Sequence, residues 1–234
     1  MDMVLYWILG FVLILAVVFA LSAQLLTKLR IDSYDFFGRN SLLMYAGTLA
    51  LLFVAVYWAS SHSEVNQQFK LPLSSEHRLV STAIILLSAI SGLLLFKLEA
   101  WLISLKIKQQ AHAHASVVPY WQKKWFVPVV VSIVLMEEII WRAYLPLAIF
   151  QEWSLSLTWA AVISSLAFGL HHVFFGWIHV VFKSVYGFIW LLMTLSTESL
   201  IPAIIAHCAF NFAVYWHSAN QTNTSIKGYK EQQG

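Results

Sequence analysis

The stretch Val129–Phe150, VVVSIVLMEEIIWRAYLPLAIF, sets the terms on which the rest of the chain folds. It is long and apolar enough to cross a hydrocarbon layer as a helix, which takes about 20 residues. Yet it carries Glu137, Glu138 and Arg142 well inside the run. A charged residue near the centre of a membrane helix costs roughly 2.5–3.5 kcal/mol, so three facing lipid would cost about 7–10 kcal/mol. They must face a protein interior, and an interior requires neighbouring helices.

The neighbours are present on both sides. Of the 234 residues, 60% are hydrophobic and only 11% charged, against roughly 45–50% and about 25% in an ordinary soluble domain. The apolar residues lie in long runs rather than on amphipathic faces, with spans expected at about 3–26, 42–60, 79–104, 125–150, 156–175, 178–196 and 199–217. The expected fold is all-α, a polytopic transmembrane bundle of about seven spans with a catalytic four-helix core in its C-terminal half. The third span is interrupted by Lys97 and Glu99, which suggests an end near Phe96 and an interfacial continuation through Trp101, Leu102 and Leu105. The first run has no basic residue before it and no convincing small-residue cleavage site, so it reads as a retained anchor.

Basic residues near span ends resist translocation and set orientation. Segments 27–41 and 104–124 and the tail hold Lys28, Arg30, Arg39, Lys106, Lys108, Lys123, Lys124, Lys227 and Lys230, whereas segment 61–78 holds only Lys70 and Arg78. Nine against two favours an outside amino terminus and a cytoplasmic carboxyl terminus, with a bacterial cytoplasmic membrane as the expected location. The polar, basic segment 106–124, KIKQQAHAHASVVPYWQKK, divides accessory helices (1–105) from a working core (125–217). Residues 218–234 form a polar tail, and from Asn220 its composition suggests disorder.

Helical geometry sorts the buried charges. Glu138 and Arg142 stand four apart on one face, while Glu137 is turned about 100 degrees away. Glu138 is therefore the expected partner of Arg142, since a guanidinium paired with a carboxylate is the best-supported way to keep both in a low-dielectric bundle. Glu137 is left as a candidate general base. On the fifth span, SSLAFGLHHVFFG places Phe168 and His172 four apart; on the seventh, PAIIAHCAFNFAVYW does the same for His207 and Asn211. A single His or Asn in a membrane helix commonly serves as interhelical glue. Such residues on three of four consecutive helices suggest a site.

His62, His77, His112, His114 and His217 fall in loops or at span ends, where solvated side chains are expected. His171 and His179 sit where an interfacial or supporting role is as reasonable as a catalytic one. The single cysteine, Cys208, cannot form an intrachain disulfide and points about 100 degrees away from His207 on a helix. There is no HExxH, no GxSxG elbow and no pair of aspartates within the spans. What remains is a glutamate with histidines around water, with neutral donors for an oxyanion.

The run EEIIWR (137–142) resembles EExxxR, FGLHH (168–172) resembles FxxxH, and HCAFN (207–211) resembles HxxxN. In this order they are similar to the CAAX prenyl protease type 2 and bacteriocin-processing family of intramembrane endopeptidases. The resemblance covers about residues 120–217. It implies that Glu137 and His172 activate the attacking water, that His207 and Asn211 stabilise the tetrahedral oxyanion, and that Glu138, Arg142 and Phe168 support them. It implies no cofactor, with one alternative: zinc held by Glu137, His172 and His207, leaving an open position. The expected partners are a peptide or protein substrate and membrane lipid, with no nucleic acid. Substrates could be prenylated carboxyl termini, bacteriocin leaders or sorting tails. Two other readings compete: a transporter or proton-coupled channel using the same Glu and His residues, and a scaffold or immunity protein of the same fold whose site goes unused.

Overall fold

A computed structural model describes residues 2–29, 33–60, 78–106 and 126–231. Eight α-helices follow in order: α1 (Asp2–Lys28), α2 (Ser33–Ser60), α3 (Arg78–Lys106), α4 (Phe126–Glu138), α5 (Leu145–Glu152), α6 (Leu157–His171), α7 (Trp177–Thr197) and α8 (Ile201–Glu231). A π-helical segment, Ile139–Tyr144, joins α4 to α5 in one continuous rod, so the helices make seven rods, as the apolar runs suggest. The described residues contain no strand. In hydrocarbon, each backbone N–H and C=O must find its partner within the protein, and a helix supplies these partners from its own segment.

Leu5–Leu26, Thr82–Ser104 and Trp177–Thr197 are long and apolar enough to cross a membrane. Their outer faces present large apolar side chains such as Leu13, Val17 and Leu21 on α1 and Leu86, Leu87 and Leu94 on α3. This is the pattern of helices solvated by lipid. Buried charges lie on the opposite side, among them Glu137, Glu138, Arg142 and Lys183.

One core joins Leu5, Ile8 and Val12 of α1, Tyr45, Leu49 and Leu52 of α2, the π segment and Phe168 of α6. A second joins Tyr186 and Trp190 of α7 to Ala203, Ala206 and Phe210 of α8, with Leu95 and Phe96 of α3 packed against it. Small residues set the closest approaches. A Cβ at Gly92 would collide with the Ala206 carbonyl where α3 meets α8, and one at Gly169 would collide with Ser184 where α6 meets α7.

The connections have local causes. Ser156 caps α6 by accepting from the Trp159 N–H at 3.4 Å. A 3₁₀ turn, Val173–Phe175, follows α6, and Gly176 then takes φ 106°, a conformation few other residues tolerate, before α7 begins. Two expectations change here. Helix α3 runs unbroken to Lys106, because Glu99 is buried against a partner on α7 and so does not force the helix out of the bundle. Helix α8 continues to Glu231, so the polar segment 220–231 is helical; an established helix gains one hydrogen bond per added residue, which offsets weak local propensity. The loop 61–77, segment 107–125 with His112 and His114, and Arg30 lie outside the described residues.

Candidate active site

The site is built around the π segment. Leu145 N–H reaches back five residues to the Ile140 carbonyl. The Trp141 carbonyl, its usual α-helical acceptor, takes the Ser164 hydroxyl of α6 at 2.7 Å instead. The widened turn lies directly before Pro146, whose ring would otherwise press on the Arg142 carbonyl four residues earlier. Short π segments of this kind are frequent at functional sites. Here the segment follows immediately on Glu137 and Glu138.

Both carboxylates are fully buried. Glu138 divides its oxygens: Oε2 lies 3.2 Å from Arg142 Nε, and Oε1 lies 2.7 Å from His207 Nδ1. The expected pairing with Arg142 is present, but Glu138 also orients an imidazole on α8. The Arg142 guanidinium stacks 3.9 Å over the Phe168 ring, a contact worth about 0.5–2 kcal/mol. Phe168 in turn packs edge-on against His172, with ring centroids 4.6 Å apart, so it links the supporting charge to the imidazole of its own helix.

Glu137 also divides its oxygens. Oε1 lies 3.5 Å from His172 Nε2 and Oε2 lies 3.6 Å from His207 Nε2. The tautomers follow from the outer partners. His172 Nδ1 lies 2.9 Å from the Phe168 carbonyl, which can only accept, so Nδ1 carries the proton and a neutral ring turns its Nε2 lone pair toward Glu137. His207 Nδ1 likewise donates to the Glu138 carboxylate. Its ring rests on Trp190 at 4.7 Å.

Glu137, His172 and His207 thus meet from three rods. Asn211 lies one turn beyond His207, half-buried, and among the described residues no hydrogen bond joins it to the cluster. Among the described residues no group of three or more His, Cys, Asp or Glu is arranged to hold a metal ion.

Sequence reasoning missed three features. The Tyr45 hydroxyl of α2 donates to Glu137 Oε1, so Glu137 is not free and α2 enters the site. His171 is buried rather than interfacial. Its Nε2 lies 2.9 Å from Thr48 Oγ1, and because that hydroxyl already donates to the Tyr45 carbonyl, the imidazole is the donor. Finally, Lys183 is buried, with Nζ 3.7 Å above the Phe210 ring, and interacts electrostatically with Glu99 and Glu137. Glu99 bonds His179 Nδ1 at 2.7 Å. A lysine and a glutamate inside otherwise apolar runs were the available signal; for Tyr45 there was none.

Fold and site together define an integral membrane helical bundle with a buried carboxylate–imidazole centre. Residues 119–213 match the model of a family described as type II CAAX prenyl endopeptidase Rce1-like. This is the family that EEIIWR, FGLHH and HCAFN resemble, and all three motifs fall within the matched segment. At the family level the match identifies a CAAX-type intramembrane protease. No curated protein and no solved structure matches the chain significantly.

Proposed function

We propose that the chain is an intramembrane endopeptidase that hydrolyses a peptide bond of a membrane-associated or C-terminally processed protein or peptide, with water activated by Glu137 and His172. One observation carries this reading: Glu137 Oε1 and the Nε2 lone pair of His172 stand 3.5 Å apart, with the imidazole turned by its bond to the Phe168 carbonyl. A water beside them can give one hydrogen bond to each acceptor, which turns its own lone pairs outward toward a carbonyl carbon.

On attack, the water oxygen bonds to the carbonyl carbon, one proton passes to Glu137, and the carbonyl π pair moves to oxygen. That oxyanion is met by His207 and Asn211. His207 already donates through Nδ1 to Glu138, so to donate through Nε2 as well its ring must carry both protons, with the Glu138 carboxylate as counter-charge. Collapse re-forms the carbonyl, breaks the C–N bond and returns the proton from Glu137 to the leaving amine. Two imidazoles and a carboxylate are zinc-binding donor types, but as placed they make no metal-holding group, and each step here uses the chain's own side chains.

The same reading assigns residues 125–217 as the catalytic core, 106–124 as a basic cytoplasmic loop, and an outside amino terminus in a bacterial cytoplasmic membrane. The test is mass spectrometry of membrane peptides that accumulate in a strain carrying Glu137→Ala. A peptide that accumulates there and is cut by the purified wild-type chain supports the proposal. Undiminished cutting by purified Glu137→Ala would sink it.

A further inference from the structure

We infer that Tyr45, on α2 and outside the segment that matches the family, is a positioning residue of the site: its hydroxyl fixes which oxygen of Glu137 faces His172. The side chain is buried and 92 residues from Glu137 along the chain, yet it donates to Oε1, the oxygen 3.5 Å from His172 Nε2. The Tyr45 ring also lies against both histidines of α6, with centroids 4.7 Å from His171 and 4.8 Å from His172. One side chain therefore touches both members of the base pair. An unheld carboxylate turns about its terminal bond, and each turn changes the gap in which the water must sit. With Oε1 pinned by the phenol, the gap is set before substrate arrives, which is what preorganisation of a catalytic group requires.

Packing alone does not call for this hydroxyl. A phenylalanine would fill the same space in the apolar core without a buried hydroxyl that needs a partner. Thr48, one turn further along α2, lies on the same face and accepts from His171, so α2 is tied to the site at two successive polar positions. The amino-terminal half thereby becomes part of the working unit.

The catalytic meaning of this bond rests on the reading proposed above, but the bond itself is tested without turnover. Infrared difference spectra of the detergent-solubilised chain identify the side-chain carboxyl or carboxylate stretch of Glu137 as the band lost in Glu137→Gln. In Tyr45→Phe that band is expected to move, because its oxygen loses a hydrogen-bond donor. A band at an unchanged position overturns the inference. If Tyr45→Phe does not fold, Glu137→Asp probes the bond from the other partner: in chains with ¹³C-labelled tyrosine rings, one phenol C–O band is expected to shift, and an unshifted set overturns the inference. A moved band in a chain that cuts no peptide would leave the positioning contact standing and count against the peptidase reading.

Discussion

Two buried carboxylates in this bundle face histidines, and they do so at different distances. Glu99 on α3 bonds His179 Nδ1 at 2.7 Å, with the His179 side chain 20% exposed. Glu137 on α4 faces His172 and His207 at 3.5 and 3.6 Å, with all three side chains at least nine-tenths buried. The first pair is closed at ordinary charge-assisted hydrogen-bond length. In the second, both imidazoles bond through Nδ1 to other partners and turn Nε2 toward a carboxylate they do not quite reach. A carboxylate that only fastens helices together needs nothing beyond the Glu99 arrangement. The Glu137 arrangement keeps acceptors facing a gap, which suits a group that is to receive a proton from something not yet bound.

The largest expected effect breaks this contrast at Glu137. Glu137→Gln keeps the shape and the Tyr45 acceptor but removes the base, and general-base removal costs about 10²–10⁴ in rate. Cleavage of the peptide that accumulates in the mutant strain should fall by that factor, while unfolding in detergent stays near the wild-type temperature. Glu138→Gln should behave differently, because it leaves the Arg142 guanidinium buried without its carboxylate and removes the counter-charge of His207. A loss of about 3–5 kcal/mol is expected, read as a lower unfolding midpoint together with lost cleavage. Wild-type stability in that variant would mean that Glu138 does not hold Arg142. Asn211→Ala is a test of the oxyanion role. If its amide meets the oxyanion, the rate should drop by about 10²–10³ with KM little changed; an unaltered rate removes Asn211 from the site.

What was legible in the sequence follows from what spacing can express. The i, i+4 rule links residues on one helix, so it paired Glu138 with Arg142 and put Phe168 beside His172, and both contacts are present. It cannot express contacts between helices. The second bond of Glu138, to His207, spans 69 residues. Tyr45 to Glu137 spans 92, and a tyrosine in an apolar helix is too ordinary to stand out. The charges at Glu99 and Lys183 were visible, but without a partner in view Glu99 looked like the end of a span. Pro146 was noticeable as a possible kink; that the chain would answer it with a π turn, and that Ser164 of α6 would take up the Trp141 carbonyl, depends on tertiary packing.

The smallest expected effect tests the other half of the contrast. Glu99→Gln keeps an oxygen within reach of His179 but removes the negative charge that interacts with Lys183. Lys183 then has only the faces of Phe210 and Tyr186 nearby, at 3.7 and 5.5 Å from their centroids, besides the more distant field of Glu137. Weakening a buried, charge-assisted contact of this kind costs about 1–3 kcal/mol, so the unfolding midpoint should fall modestly. Cleavage per folded molecule should stay within about a factor of three, because Glu99 bonds none of the groups around the proposed water and general-base losses are of order 10² or more. The two carboxylates then separate cleanly: one variant loses rate without stability, the other stability without rate. A Glu99→Gln chain that is fully stable yet unable to cleave would reverse the assignment and move the proton-handling carboxylate to the α3–α7 side of the bundle.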